Sequence, residues 1–301
     1  MDQSGGVAAL VELVREAMVL QMVDVAAITM FVWDYLITFG MEVEYVWCGK
    51  WNFITAVYLV QRYLPFIDTV WMMLHVEHFG ANLSPEMCTV LTNTSRYIMF
   101  VGLALSEVIL TFRAWAVWER KRVLTIALPI LFIACWIPPI LVLHDFLKAL
   151  HFSYHPIPHW KGCFAIMGSY NIVVVWILLL VWDLFILILM VVPALKAYHY
   201  RGYSALYSTV YAEGIVYYLY LFVMSALNIV LLRLDSVSTV YRFMFVSMSR
   251  CLHSTLTSRA LLHIRARLSE GTTVGIVTIT TDESAHLDTL SSAERHAREV
   301  P

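Results

Sequence analysis

Seven separate stretches of this chain are mostly apolar and each runs about 20 residues or more, the length at which an α-helix crosses the hydrocarbon of a bilayer. They lie at 18–39, 52–76, 93–117, 123–143, 169–194, 211–232 and 238–262. A soluble domain carries about 25% charged residues. This chain carries 14%, with 60% hydrophobic. A larger soluble core does not resolve that imbalance, because its surface would still need covering, whereas a lipid-facing surface does. The expected class is therefore all-α: a polytopic membrane protein, a seven-transmembrane-helix bundle, receptor-like, with its N-terminus outside. A net charge of −2 gives no basic field for nucleic acid, and none is expected as a partner.

The bundle is expected to occupy 18–267. Residues 1–17 lack a basic n-region and no small-residue cleavage site follows, so they read as a short extracellular N-terminus rather than a removed signal. Residues 268–301 are rich in Ser, Thr, Asp and Glu without an apolar face, and read as a disordered cytosolic tail. Orientation follows the distribution of Lys and Arg. With the N-terminus outside, the inner side holds Lys50, Arg113, Arg120, Lys121, Arg122, Lys196, Arg201, Arg259, Arg265 and Arg267. The outer side holds Arg15, Lys148, Lys161, Arg233 and Arg242. Asn82 heads a sequon, Asn82-Leu83-Ser84, on the outer side, and is a candidate glycosylation site.

Ionisable residues within spans are costly and face a bundle interior. Here they are Asp24, Asp34, Arg62, Asp68, Arg96, Glu107, Asp183, Glu213 and Arg250. Their depths suggest two polar layers contributed by helices one to three. Arg62 is expected to pair with Asp34 or Glu107, and Arg96 with Asp68 or Asp24. Such pairs serve to fix helix register, the favoured reading. The alternative is an ion or proton path, or a ligand pocket.

Cys88 before helix three and Cys163 in the long loop before helix five both fall outside, where a disulfide persists. They are a candidate bridge, with two free thiols as the alternative. This arrangement resembles that of rhodopsin-like receptors, in which an Arg ends helix three; Arg113 stands at that place here. His75 and His78 have a metal-compatible spacing, but helix seven offers only His253, so no metal is expected. No Lys lies in helix seven to carry a retinal Schiff base, and no G-x-x-x-x-G-K run is present. No nucleophile set converges, so neither an enzyme nor a cofactor is expected.

Residues 25–68 carry a spaced signature: Asp34-Tyr35, then Glu42-Val43-Glu44, Trp47, Trp51 and Arg62-Tyr63-Leu64-Pro65. This resembles the N-terminal domain of unknown function in an uncharacterised membrane protein family of mushroom-forming fungi. Later landmarks are similar to that family. Arg113 ends helix three; Glu213-Gly214, Tyr217 and Asn228 mark helix six; Ser258, Arg259 and Arg265 mark helix seven. Trp115 and Trp118 replace usual Tyr positions, Glu213 stands for Asp and His263 for Asn. The resemblance implies a seven-helix bundle and no particular activity. By their chemistry, Glu42 and Glu44 with Trp47 and Trp51 read as an interfacial segment, acids to water and indoles to headgroups. Pro65, Pro138 and Pro139 are expected to kink helices two and four.

The leading functional expectation is a receptor-like protein at the plasma membrane that senses an unknown extracellular ligand. A cytosolic signalling protein, or anionic membrane lipid, would meet the inner basic rim. A small-solute or proton-coupled transporter using the buried charges is the alternative, and a structural membrane protein with no ligand is the next.

Overall fold

The computed structural model describes residues 3–49, 51–78, 84–153, 163–166, 172–201, 205–234, 236, 238, 240–267 and 269. Among them the chain forms seven α-helices, two of them extended by π turns, and a short 3-10 turn, Tyr241–Phe243. Helix α1 spans Gln3–Glu42 and closes in a wider π-helical turn, Val43–Trp47. Helix α2 spans Phe53–Pro65 and continues with π geometry over Phe66–His78. Then come α3, Pro85–Val117, α4, Arg122–Lys148, α5, Val173–Arg201, α6, Ala205–Arg233, and α7, 246–267.

Local chemistry explains the starts. Asn52 caps α2: its side chain accepts from the Thr55 amide at 2.9 Å. Ser84 caps α3, accepting from the Met87 amide at 3.3 Å, with Pro85 at the first helical position and Glu86 in the first turn. Pro65 lacks an N–H, and the helix passes into π geometry immediately after it. Helix α4 runs as one helix through Pro129, Pro138 and Pro139. The α3–α4 link reverses over Glu119 and Arg120, both left-handed at φ 55° and 57°. Trp118 fastens that turn by donating its indole N–H to the Leu189 carbonyl of α5 at 2.8 Å.

Several boundaries differ from the sequence reading; α6 begins at Ala205 rather than 211, and α7 runs 246–267 rather than 238–262. The first helix begins at Gln3 rather than residue 18, because residues 7–17 are good helix formers and carry a Glu12–Arg15 pair one turn apart. Helix α3 begins eight residues earlier than expected, at its Ser-Pro-Glu start signal. The loop placed at 144–168 is not wholly irregular. Its first residues finish α4, and His151–Ser153 and Phe164–Ile166 form an antiparallel pair, β1 and β2, with Phe152 opposite Ala165. The all-α expectation thus needs this small hairpin added. The tail beyond 269 and Asn82 lie outside the described residues.

Five helical segments are long and apolar enough to cross a membrane: Val11–Trp47, Pro85–Val117, Arg122–Lys148, Val173–Lys196 and Ile215–Arg233. The chain is an integral membrane protein. Helices α2 and α7 are less apolar, because they carry the polar side chains of the interior. The outer surface is apolar where a soluble protein would be charged. On α4, Val123, Ile126, Ile130, Ile133, Ile137 and Ile140 form one exposed stripe at helical spacing. Inside, Trp182 packs edge-on to Phe132 at 5.3 Å, within a cluster that includes Leu110, Ile186, Met190 and Leu221. Helix α7 is enclosed on most of its circumference: Arg250, Cys251, His253, Ser254, Thr257, Ser258, Ala260 and Leu262 are all buried.

Candidate functional site

The polar interior is a ladder of contacts between α7 and helices α1 to α3. Near the disulfide end, Arg250 Nε lies 3.0 Å from Asp68 Oδ2, and both side chains are fully enclosed. The Ser95 hydroxyl donates to the Asp68 carbonyl at 3.0 Å, and Thr69 donates to its carboxylate at 2.8 Å. The Arg250 guanidinium fits only because residue 102 is glycine: a Cβ there would overlap its Nη2 and Cζ. Small size on α3 thus admits a large cation from α7.

One layer on, Gln61 donates to the Ser106 hydroxyl at 3.1 Å. His253 Nδ1 sits 3.1 Å from Glu107 Oε1, with no exposure on either side. That contact is close but not aligned as a hydrogen bond. Asp183 of α5 accepts from Ser225 of α6 at 2.6 Å, and Asp183 is buried. Neighbouring Asn228 is also fully buried, donating to the Met224 carbonyl at 3.0 Å.

At the opposite end, Arg259 Nε meets Asp34 Oδ1 at 2.5 Å. Arg62 Nε meets Glu42 Oε2 at 2.5 Å, and its Nη2 donates to Thr38 at 2.8 Å. The Arg62 guanidinium also lies 5.0 Å from the Tyr35 ring centre. Glu42 accepts further from Tyr63 at 2.9 Å and from the Trp47 indole at 3.1 Å. Arg265 closes the ladder, donating to the Tyr45 carbonyl at 3.1 Å and to Thr55 at 2.7 Å. Breaking one member of a buried ion pair costs about 3–5 kcal/mol, while an intact pair adds little net stability. The ladder therefore specifies helix register and face more than it raises stability.

Several sequence expectations are corrected by these contacts. Arg62 pairs with Glu42, not with Asp34 or Glu107; Asp34 is held by Arg259 and Glu107 faces His253. Asp68 is held by Arg250, a partner the sequence reading did not offer. The polar layers are not made by helices one to three alone, since α7 supplies most of their cations. Glu42 does not face water: as the last residue of α1 it turns inward to Arg62 and Tyr63, at 0% exposure. Only Glu44 of that acidic pair is exposed, while Trp47 and Trp51 stack edge-on, 5.9 Å apart, on the outside.

The remaining sequence candidates fall as follows. Cys88 and Cys163 form a disulfide, 75 residues apart in sequence, that ties the hairpin to the start of α3. Asp24 is buried on α1; Arg96 and Arg113 are half-buried on α3. Pro65 and Ser258 are buried, Tyr217 is half-buried on α6, and Gly214 precedes it there. The side chains of His75, His78 and Glu213 lie outside the described residues. Among the described residues no three His, Cys, Asp or Glu side chains are grouped to hold a metal ion.

Sequence reasoning missed Glu42, Ser225 and His253 as parts of the interior. One signal was available for α7: six Ser or Thr residues over 247–258, a density that suits an enclosed helix better than a lipid-facing one.

No curated protein matches the chain. Residues 22–67, which run from the second half of α1 through its π turn and all of α2 to just past Pro65, match the family described as "Family of unknown function (DUF6533)".

Proposed function

We propose that this protein is a seven-span, receptor-like membrane protein, whose α7 shifts between two packings to pass a signal from the disulfide end to the basic end. The observation that carries this reading is the ladder on α7. Arg250, His253, Arg259 and Arg265 make polar contacts with α1, α2 and α3 along most of the helix. An element held by discrete pairs has discrete positions, as a two-state switch requires.

Orientation is supported by two features at opposite ends. The Cys88–Cys163 bridge suits an oxidising side. Arg120, Lys121, Arg259 and Arg265 cluster at the other end, as positive-inside topology demands. In this reading α2 and α7 also span, shielded from lipid by the more apolar helices. The cell-surface membrane is the proposed location, and a cytosolic signalling protein the proposed partner. No catalytic role is proposed.

The test uses the full chain in lipid nanodiscs with purified heterotrimeric G protein. Recruitment is expected, raised by Asp68→Asn, which frees Arg250, and lost in Arg113→Ala at unchanged surface expression. Absence of recruitment in all forms, together with pH-driven solute flux in liposomes, would replace the receptor by a carrier.

A further inference from the structure

The reversal between α3 and α4 carries a second charged cluster, outside the polar ladder. Arg120, Lys121 and Arg122 follow one another there, and all three are exposed. Two of them are held against indole faces. The Arg120 guanidinium lies 5.6 Å from the Trp115 ring centre, and the Lys121 ammonium 5.3 Å from that of Trp118. The indoles are themselves fixed: Trp115 donates to the Thr125 hydroxyl at 3.0 Å, and Trp118 to the Leu189 carbonyl at 2.8 Å. Glu119 is exposed in the same turn, but three cations against one carboxylate leave the turn positive. Helices α3 and α4 are both apolar spans, so the turn that joins them lies at a membrane boundary. Immediately after the cluster, Val123, Ile126, Ile130 and Ile133 are exposed along one face of α4. From the first to the last of these that face is about 15 Å long, the depth of one leaflet's hydrocarbon.

We propose that this turn binds the headgroup of an anionic lipid that bears a phosphomonoester, with an acyl chain lying along the exposed face of α4. Each half of the surface selects one part of that ligand. The guanidinium groups of Arg120 and Arg122 can grip phosphate oxygens as forks, and Lys121 adds a compact charge. A phosphomonoester carries about −1.5 to −2 charge and three acceptor oxygens, so it suits adjacent cations better than a singly charged headgroup does. Indoles sit at the headgroup level of a bilayer, and stacking on them keeps Arg120 and Lys121 at that depth. The apolar face distinguishes a lipid from free phosphate, which would use the cations alone. A cytosolic protein would likewise leave Ile130 and Ile133, at hydrocarbon depth, untouched. The site stands whether the bundle signals or transports, and it gives the basic rim one defined lipid position in place of diffuse attraction.

Native mass spectra of the full-length protein in detergent test this lipid by lipid. Phosphatidic acid and a phosphorylated inositol lipid should each bind more tightly than phosphatidylserine, by about fivefold or more, the factor that one basic contact supplies. Phosphatidylcholine should bind weakest. Arg120→Gln/Lys121→Gln/Arg122→Gln should lower the affinity for phosphatidic acid about 100-fold. Lys196→Gln/Arg267→Gln, at exposed cations outside the turn, should leave it unchanged. Glycerol 3-phosphate, the same headgroup without chains, should not displace the lipid at equal concentration. Should the triple variant fail to fold, Lys121→Gln and Arg122→Gln alone are each expected to weaken binding about fivefold. Equal affinity for phosphatidic acid and phosphatidylserine, wild-type affinity in the variants of the turn, or displacement by equimolar glycerol 3-phosphate would overturn the proposal. Absence of lipid selectivity together with loss of G-protein recruitment in the triple variant would assign the cluster to a cytosolic protein instead.

Discussion

Replacing Gly102 by Ala adds one methyl group where α3 meets the Arg250 side chain of α7. Its Cβ would overlap the Arg250 guanidinium, which has no exposed side to retreat into. Either Arg250 withdraws from its 3.0 Å contact with Asp68, or the two helices separate. Forcing a methylene into a packed core costs about 1–3 kcal/mol, and breaking a buried ion pair costs about 3–5 kcal/mol. The expected loss is about 2–5 kcal/mol. At roughly 2–4 °C per kcal/mol for a chain approaching this size, the unfolding temperature falls by about 5–15 °C. Cys251 is free, fully buried and adjacent to Arg250, so a thiol-reactive fluorophore reports the opening directly. Gly40→Ala is the control: nothing lies within 4 Å of its added Cβ, so the substitution should be neutral or slightly stabilising. In an Asp68→Leu/Arg250→Met background the obstacle is gone, and Gly102→Ala should cost less than about 1 kcal/mol, a marked non-additivity. Equal stability of Gly102→Ala and wild type, or the same cost in both backgrounds, would refute the packing argument.

Two further outcomes follow from single contacts. Mass mapping without reductant should recover Cys88 joined to Cys163, with Cys48, Cys135 and Cys251 as thiols. Reducing that bridge should cost about 4 kcal/mol, by the loop entropy of a 75-residue closure. Asn52→Ala removes the α2 cap and should cost about 1 kcal/mol in denaturation, while Asn52→Asp, which keeps a side-chain acceptor, restores most of it.

Apolar runs made the helices legible in the sequence, and the polar residues within them made a buried network legible as well. The partners were not, for a physical reason. Hydropathy gives depth along an axis but not azimuth around it, and the decisive pairs join residues far apart in the chain. Asp34 meets Arg259 and Asp68 meets Arg250 only because α7 returns beside α1 and α2. Glu42 was misplaced by its neighbours: beside Glu44 and two exposed tryptophans it reads as interface, yet it is the last residue of α1 and faces inward to Arg62. The hairpin after α4 was hidden because three-residue strands leave no periodicity to detect. His253 attracted notice only as an insufficient metal ligand. Its place 3.1 Å from Glu107 depends on α7 returning beside α3.

In the proposed seven-span bundle, α2 and α7 cross the membrane despite their charges and form its polar interior. Sided thiol labelling tests it most directly. In a Cys48→Ser/Cys135→Ser background, single cysteines at Lys50 and Ser84 bracket α2, and at Ser236 and Thr272 bracket α7. With an impermeant maleimide on intact cells, labelling is expected at positions 84 and 236 only. Positions 50 and 272 should label only after permeabilisation. Labelling of 50 and 84 from the same side, or of 236 and 272 from the same side, would contradict it.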